Sequence, residues 1–151
     1  MKKFFYPFLM VTLLIFLTCS CSSGKDTSLD DVLDSKKIVI GIDAKDSMVA
    51  IEGWEEVSSF KALDFAREME KIGVKTIVYT DIATDGTLRG PNVEAMIEMS
   101  ENLNLDVIAS GGVGNEEHLI ELSKTKVEGA IVGKALYTGN VELRSVLEKV
   151  K

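Results

Sequence analysis

The sequence predicts an α/β fold in which parallel strands alternate with helices, and three observations predict it. Continuous β-branched runs, typical of strands covered on both faces, recur along the chain. Stretches with helical apolar spacing separate them, giving four βα units in about 115 residues. Each predicted strand ends in a polar or glycine-rich loop. Such loops after every strand favour a piece of a barrel over an open sheet, because the strand ends of a barrel meet at one mouth.

Each element follows from a local pattern. The apolar runs predict strands over 38–43, 76–80, 106–110 and 129–132. Apolar residues from Phe60 to Ile72 recur at helical spacing and predict a helix over 58–72, which Gly73 ends as a C-cap. The same reasoning predicts helices over 92–102, with Asn92 as a plausible N-cap, 115–123 and 141–150.

The first residues differ in kind from the rest. A basic start, Met1-Lys2-Lys3, precedes an apolar run of about 14 residues from Phe4 to Leu17, and small polar residues follow. This order is typical of a secretory signal, and the run is shorter than the roughly 20 residues of a spanning helix. We therefore predict a signal-like hydrophobic segment over 1–24, a linker over 25–35 and a folded domain over 36–151.

The end of the signal-like segment resembles a bacterial lipoprotein signal, with Cys21 as the lipidated residue. Taken alone, the segment predicts export and membrane anchoring, with membrane contact only through residues 1–21. The alternative interpretation is a buried N-terminal helix. Both cysteines lie in this segment, so the domain is expected to have no disulfide framework and no cysteine-based metal site.

The net charge and the histidine content exclude some classes of partner and of catalytic group. The net charge of −7 leaves no basic stripe to neutralise phosphates, so no nucleic-acid partner is expected. A small phosphorylated ligand stays possible, since backbone amides can hold a phosphate without net positive charge. The only histidine, His118, falls in a polar predicted helix and is expected to be solvent-exposed, so no histidine base is predicted.

Two carboxylates are candidates for acid–base chemistry. Asp43 ends the first predicted strand, where a carboxylate points into the mouth of a barrel; the alternative is a helix cap or a surface residue. Asp85 lies in a loop after the second strand that is dense in Thr, Asp and Gly and includes Gly86. Trp54, the only tryptophan, lies just beyond the first strand and either covers a flat ligand or simply packs.

Two glycine loops follow the last two predicted strands. Ser110-Gly111-Gly112 comes after one strand, and Gly133-Lys134 comes after the next. Glycine lets the backbone approach a ligand closely, and the loops after the last two strands of a (βα)₈ barrel often hold a phosphate. The two loops together therefore predict a phosphate-binding site.

These motifs, arriving in order, resemble the C-terminal half of a family of isomerases of histidine biosynthesis, the phosphoribosylformimino-aminoimidazole carboxamide ribotide isomerases. The resemblance runs from about Lys37 to the C-terminus. The segments that carry it are Gly41–Asp46, Glu52–Trp54, Tyr79–Ile82, Asp85–Asn92, Ser110–Val113 and Val132–Leu136.

The resemblance implies a (βα)₄ half of a (βα)₈ TIM-type barrel that is cytoplasmic and uses no cofactor or metal. It implies an Amadori rearrangement of a bis-phosphorylated aminoaldose to an aminoketose. By matching motifs, Asp43 would be the general acid, while Thr80 and Asp85 would position the sugar. The residues implied in binding substrate or phosphate are Trp54, Gly86, Ser110, Gly111, Gly112, Gly133 and Lys134.

The chain departs from the family in three respects. Strands one to four are absent, and with them the other catalytic aspartate and a second phosphate cradle. Ser47 stands where the family usually has Gly, which predicts strain if a positive φ is needed there. The signal-like segment conflicts with cytoplasmic chemistry. We expect self-association or a missing N-terminal half-barrel as partner. The alternative is a non-catalytic phosphate-binding half-barrel or a gene fragment, anchored at a membrane through its N-terminus.

Overall fold

The computed structural model describes residues 38–150, so the predictions for the segment 1–24, for Cys21 and for the linker 25–35 lie outside the described residues. This part of the chain contains six strands. They are β1 Ile40–Lys45, β2 Met48–Ile51, β3 Glu56–Lys61, β4 Thr76–Asp81, β5 Asp106–Ser110 and β6 Gly129–Ala130. They form one sheet in the order β3-β2-β1-β4-β5-β6.

Helices connect the parallel strands, and none of those within 38–150 combines the length and the apolar composition that crossing a bilayer requires. A single 3₁₀ turn occupies Glu52–Trp54. The α-helices are α1 Ala62–Lys71, α2 Val93–Asn102, α3 Glu116–Leu122, α4 Lys134–Tyr137 and α5 Leu143–Lys149.

The four strands β1, β4, β5 and β6 run parallel and follow one another across the sheet, which confirms the predicted α/β fold. One face is covered by helices, where side chains such as Ile42, Ile77 and Val107 are fully buried. The other face is open within the described residues: Val39 is 42% exposed and Ile131 is 47% exposed. Parallel sheets are normally covered on both faces, so this one-sided cover is consistent with a partial (βα)₈ barrel.

The predicted helix over 58–72 is wrong at its start. Residues Glu56–Lys61 form β3, which pairs antiparallel with β2, and α1 begins only at Ala62. Phe60 fits the helical spacing, yet it lies in the strand and is 67% exposed. Pairing with β2 therefore outweighs local periodicity, and the hairpin of β2 and β3 extends the sheet beyond β1.

A two-residue turn at Asp46 and Ser47 joins β1 to β2. Lys45 pairs antiparallel with Met48, and the φ angles of the two turn residues are 51° and 63°. Two left-handed residues in a two-residue hairpin are the geometry of a type I′ turn, which favours glycine at its second position. Ser47 thus occupies a position where a side chain costs about 1–2 kcal/mol of backbone strain.

Replacing Ser47 by Gly is expected to stabilise the protein by about 0.5–1 kcal/mol. Glycine relieves the strain at positive φ, which stabilises the folded state. It also gives the unfolded chain more conformational freedom, which offsets part of that stabilisation. Thermal unfolding should show a higher midpoint for Ser47→Gly. The control Ser47→Ala keeps the Cβ atom and should not raise it, so a Gly variant no more stable than the Ala variant would contradict the assignment of strain.

Candidate functional site

Asp43, Thr80 and Ser110 lie side by side across three neighbouring parallel strands. Asp43 of β1 is the register partner of Thr80 of β4, and Thr80 is the register partner of Ser110 of β5. Because side chains alternate along a strand, these three belong to the face opposite the helix-covered Ile42 and Tyr79. The structure therefore brings three of the predicted site residues into one row at the carboxyl ends of the strands.

Trp54 is held against Asp43 by a hydrogen bond. Its indole Nε1–H donates to Oδ2 of Asp43 at 2.7 Å, and the side chain is 46% exposed rather than packed in the core. Glu52, Gly53 and Trp54 all have positive φ angles, of 52°, 68° and 76°. Two non-glycine residues with positive φ, one on each side of Gly53, store backbone strain, which concentrates at functional sites.

The loop after β4, residues 82–92 (the β4 loop), is organised by Asp81. This carboxylate is 5% exposed; its Oδ1 accepts from the Ala83 amide at 2.9 Å and its Oδ2 accepts from Nδ2 of Asn92 at 2.6 Å. The Asp81 carbonyl accepts from the amides of Thr84 and Asp85, at 3.2 and 3.1 Å. From the sequence, Asp81 was assigned no role of its own. An aspartate at the end of a strand, directly before a polar loop, could have indicated that it organises the loop.

The loop after β5, residues 111–115 (the β5 loop), packs backbone to backbone against the β4 loop. The Gly90 amide donates to the Gly112 carbonyl at 2.9 Å. Gly111 and Gly112 have φ angles of 97° and 82°, and a Cβ atom on Gly112 would collide with the Gly90 carbonyl. Glycine is thus required at position 112 both by its conformation and by the closeness of the two loops.

A cavity of about 250 Å³ opens between these loops and the end of β6. Lys134, the cation in its lining, donates from Nζ to the Gly86 carbonyl at 3.0 Å and so links the β4 loop to the start of α4. Of the residues implied in binding substrate or phosphate, all but Trp54 line this cavity. The lining consists of Asp85, Gly86, Leu88, Ser110, Gly111, Gly112, Val113, Ile131, Gly133 and Lys134.

The chemistry available at this end of the sheet is that of carboxylates, backbone amides and the ammonium group of Lys134. Burial, with the carboxylates of Asp81 and Glu98 nearby, raises the pKa of Tyr79 to about 12, so its phenol stays neutral near pH 7. Within residues 38–150, no group of three or more His, Cys, Asp or Glu side chains is arranged to hold a metal ion. Asp43 and Asp85 remain the acid–base candidates.

The prediction that His118 is solvent-exposed is wrong. The imidazole is partly buried, and its Nδ1 accepts from the Gly114 amide at 3.1 Å. Asn115 caps α3 by accepting from the His118 amide at 3.0 Å, which starts the helix directly beneath the β5 loop. The polar composition of α3 suggested exposure, but the imidazole of His118 contacts the β5 loop.

Comparison with known proteins places this chain in a family. The sequence profile of a family described as Histidine biosynthesis protein matches residues 24–142, a range that includes the whole predicted linker. Curated relatives are named 1-(5-phosphoribosyl)-5-((5-phosphoribosylamino)methylideneamino)imidazole-4-carboxamide isomerase. One, from Ruminiclostridium cellulolyticum, is 50% identical over 134 residues, which are 88% of this chain and 57% of the relative.

Two further relatives with the same name come from Acetivibrio thermocellus and Thermoanaerobacter pseudethanolicus. Each is 56% identical over 114 residues, which are 76% of this chain and 48% of the relative. The chain thus spans about half the length of the curated relatives it matches. With more than half of its residues matched by the family profile, the chain belongs to the histidine biosynthesis protein family.

Proposed function

We propose that this chain supplies the C-terminal half of an isomerase barrel that converts a bis-phosphorylated aminoaldose to the aminoketose by an Amadori rearrangement. The observation that carries the proposal is the row of Asp43, Thr80 and Ser110 beside a glycine-lined cavity. The names of the relatives support the same reaction. Turnover of this substrate by the chain, together with a polypeptide carrying the first four strands, would support the proposal. Its absence would contradict it.

The reaction needs one group that protonates the ribose ring oxygen as the ring opens and another that removes the proton from C2. We assign the first role to Asp43, which lies near the carboxyl end of β1 and whose Oδ2 accepts a hydrogen bond from Trp54. Thr80 and Asp85 are proposed to position the opened sugar. The partner of Asp43 in proton transfer is expected on the missing half, as the family resemblance implies.

The cavity is proposed to bind one phosphate of the substrate. Lys134 supplies a positive charge, and the glycines let backbone amides approach the phosphate oxygens. Trp54, exposed beside Asp43, is proposed to cover the flat part of the substrate. Gly86 and Ser110 complete the proposed binding surface from the β4 loop and from β5.

Inorganic phosphate at millimolar concentration is expected to shift the amide resonances of Gly111, Gly112 and Gly133 before others. These three glycines line the cavity on strand-end loops, the usual place of phosphate sites in barrels. Titration of the ¹⁵N-labelled chain measures the shifts, with sodium chloride at equal ionic strength as control. Unchanged glycine amides, or equal shifts with chloride, would remove the phosphate assignment.

We also propose that the chain does not remain a monomer. Within residues 38–150, β3 and β6 end the sheet, and one sheet face lacks a covering layer. Unpaired strand edges tend to pair with another chain, and an uncovered apolar face tends to be buried against one. Either a second copy or the missing half would therefore pack against the edges and the open face. Sedimentation at micromolar concentration should show a species larger than one chain; a compact, folded monomer would contradict this.

A second candidate function rests on the N-terminal sequence. The apolar run from Phe4 to Leu17, followed by Cys21, favours a lipid-anchored phosphate-binding half-barrel without catalysis. In that case phosphate would bind, but adding the missing half would give no turnover. Fatty-acid labelling that is lost in Cys21→Ser would support the anchor, whereas a wholly cytoplasmic chain would support the enzymatic reading.

A further inference from the structure

We propose that His118 is a positioning residue of the candidate phosphate site and holds the β4 and β5 loops in the arrangement that forms the cavity wall. His118 does not line the cavity, so it would act through the loops rather than by touching phosphate. The inference depends on the proposed phosphate site only in its expectation for phosphate affinity. The loop contacts on which it depends are independent of any ligand.

The imidazole fills the space between the two loops. Its Nδ1 accepts from the Gly114 amide at 3.1 Å, so Nδ1 must be unprotonated, and the neutral ring carries its proton on Nε2. The Nε2 end faces Gly90: a Cβ atom placed on Gly90 would lie 3.1 Å from Nε2 and 3.3 Å from Cε1. One ring therefore contacts the β5 loop through a hydrogen bond and the β4 loop by close packing.

The residues that His118 contacts are those that join the loops. The Gly90 amide donates to the carbonyl of Gly112, which lines the cavity. Gly114 lies against the carbonyl of Leu88, another lining residue, so closely that a Cβ atom would collide with it. If the imidazole is lost, the partly buried Gly114 amide loses its hydrogen-bond acceptor and Gly90 loses the ring that packs against it. The β4 and β5 loops could then both shift, and with them the cavity wall.

The test replaces His118 by residues that keep an acceptor at one ring nitrogen or the other. In His118→Asn the amide oxygen reaches the position of Nδ1, whereas in His118→Gln it reaches the position of Nε2. The ¹⁵N-labelled full chain is studied, with all variants at the same pH. Hydrogen exchange is measured at Gly114 and Gly90, and inorganic phosphate affinity at Gly111 and Gly112. The control is Glu121→Gln, an exposed change on the same helix.

We expect His118→Asn and Glu121→Gln to keep protected amides and affinity, and His118→Gln to lose protection at Gly114 and to bind phosphate about tenfold more weakly. A Gln variant that matches the wild type in both measurements, or an Asn variant that loses as much as Gln, would overturn the proposal. If the wild type shows no phosphate shifts, the phosphate site fails, while the exchange comparison still decides the role of His118. If His118→Gln does not fold, the ¹⁵N shifts of the wild-type imidazole decide, because a proton on Nδ1 would overturn the proposal.

Discussion

Asp43→Asn, in a barrel completed by the missing half, is expected to lower kcat by about 10²- to 10⁴-fold, the usual cost of losing one acid–base group. Asn keeps the shape of the side chain and an oxygen that can accept from Trp54 Nε1, so the local geometry should persist. What it loses is a carboxylic acid proton for the ribose ring oxygen. Steady-state turnover of the bis-phosphorylated aminoaldose measures the effect.

Asp46→Asn is the matched control for this change. Asp46 lies three residues after Asp43, directly beyond the end of β1. It is exposed and sits in the hairpin turn with a φ angle of 51° that Asn also tolerates. Its replacement should leave kcat within about twofold, as expected for a surface change away from the chemistry. Near-full activity in Asp43→Asn, or an equal loss in both variants, would contradict the role given to Asp43.

Gly112→Ala is expected to lower the free energy of unfolding by about 2–4 kcal/mol and to abolish the phosphate-dependent shifts. The new Cβ atom would lie 2.6 Å from the carbonyl carbon of Gly90 and 2.9 Å from Cβ of Thr84, and the φ angle of 82° is strained for alanine. Backbone strain contributes about 1–2 kcal/mol and the forced separation of the loops about 1–3 kcal/mol more. Chemical denaturation and phosphate titration of the same sample measure both effects.

Gly129→Ala controls for the substitution itself. Gly129 lies in β6, has no positive φ angle, and a Cβ atom placed on it would meet nothing within 4 Å. The free energy of unfolding of Gly129→Ala should therefore differ from that of the wild type by no more than about 1 kcal/mol. That is the usual effect of the difference in conformational freedom between glycine and alanine. Equal stability of the two variants would show that the β4 and β5 loops are not as closely packed as this structure has them.

The features predicted correctly from the sequence are those with local causes. The strands β4 and β5 were predicted nearly to the residue, because continuous apolar runs between turn residues are distinctive. The glycine loops were recognised because glycine records a backbone requirement in the sequence itself. Hence Gly111, Gly112 and Gly133 were predicted to lie together, and they line one cavity.

The features missed depend on contacts between distant segments. Nothing local in residues 56–61 identifies them as β3, because the type I′ turn at Asp46 and Ser47 lacks the glycine that usually signals it. His118 sits in a polar helix, and its partner Gly114 is brought to it only by the path of the β5 loop. The organising role of Asp81 likewise depends on Asn92, which returns from the far end of the β4 loop.

The strand register that aligns Asp43, Thr80 and Ser110 also cannot be predicted from the local sequence. A one-residue slip between β1 and β4 would turn Asp43 toward the helices, and only the fit of the whole sheet excludes it. The sequences of the loops therefore predict which residues belong to the candidate site. The tertiary pairing decides that they lie in a row.

The most direct test of this account is turnover of the bis-phosphorylated aminoaldose by the purified chain, with and without a separate polypeptide carrying strands one to four. We predict no measurable isomerisation by the chain alone and saturable restoration of activity as the missing half is added. Full activity of the chain alone would show that the second acid–base group lies within this half. No activity at saturating amounts of the missing half would contradict the assignment of an isomerase site to this chain.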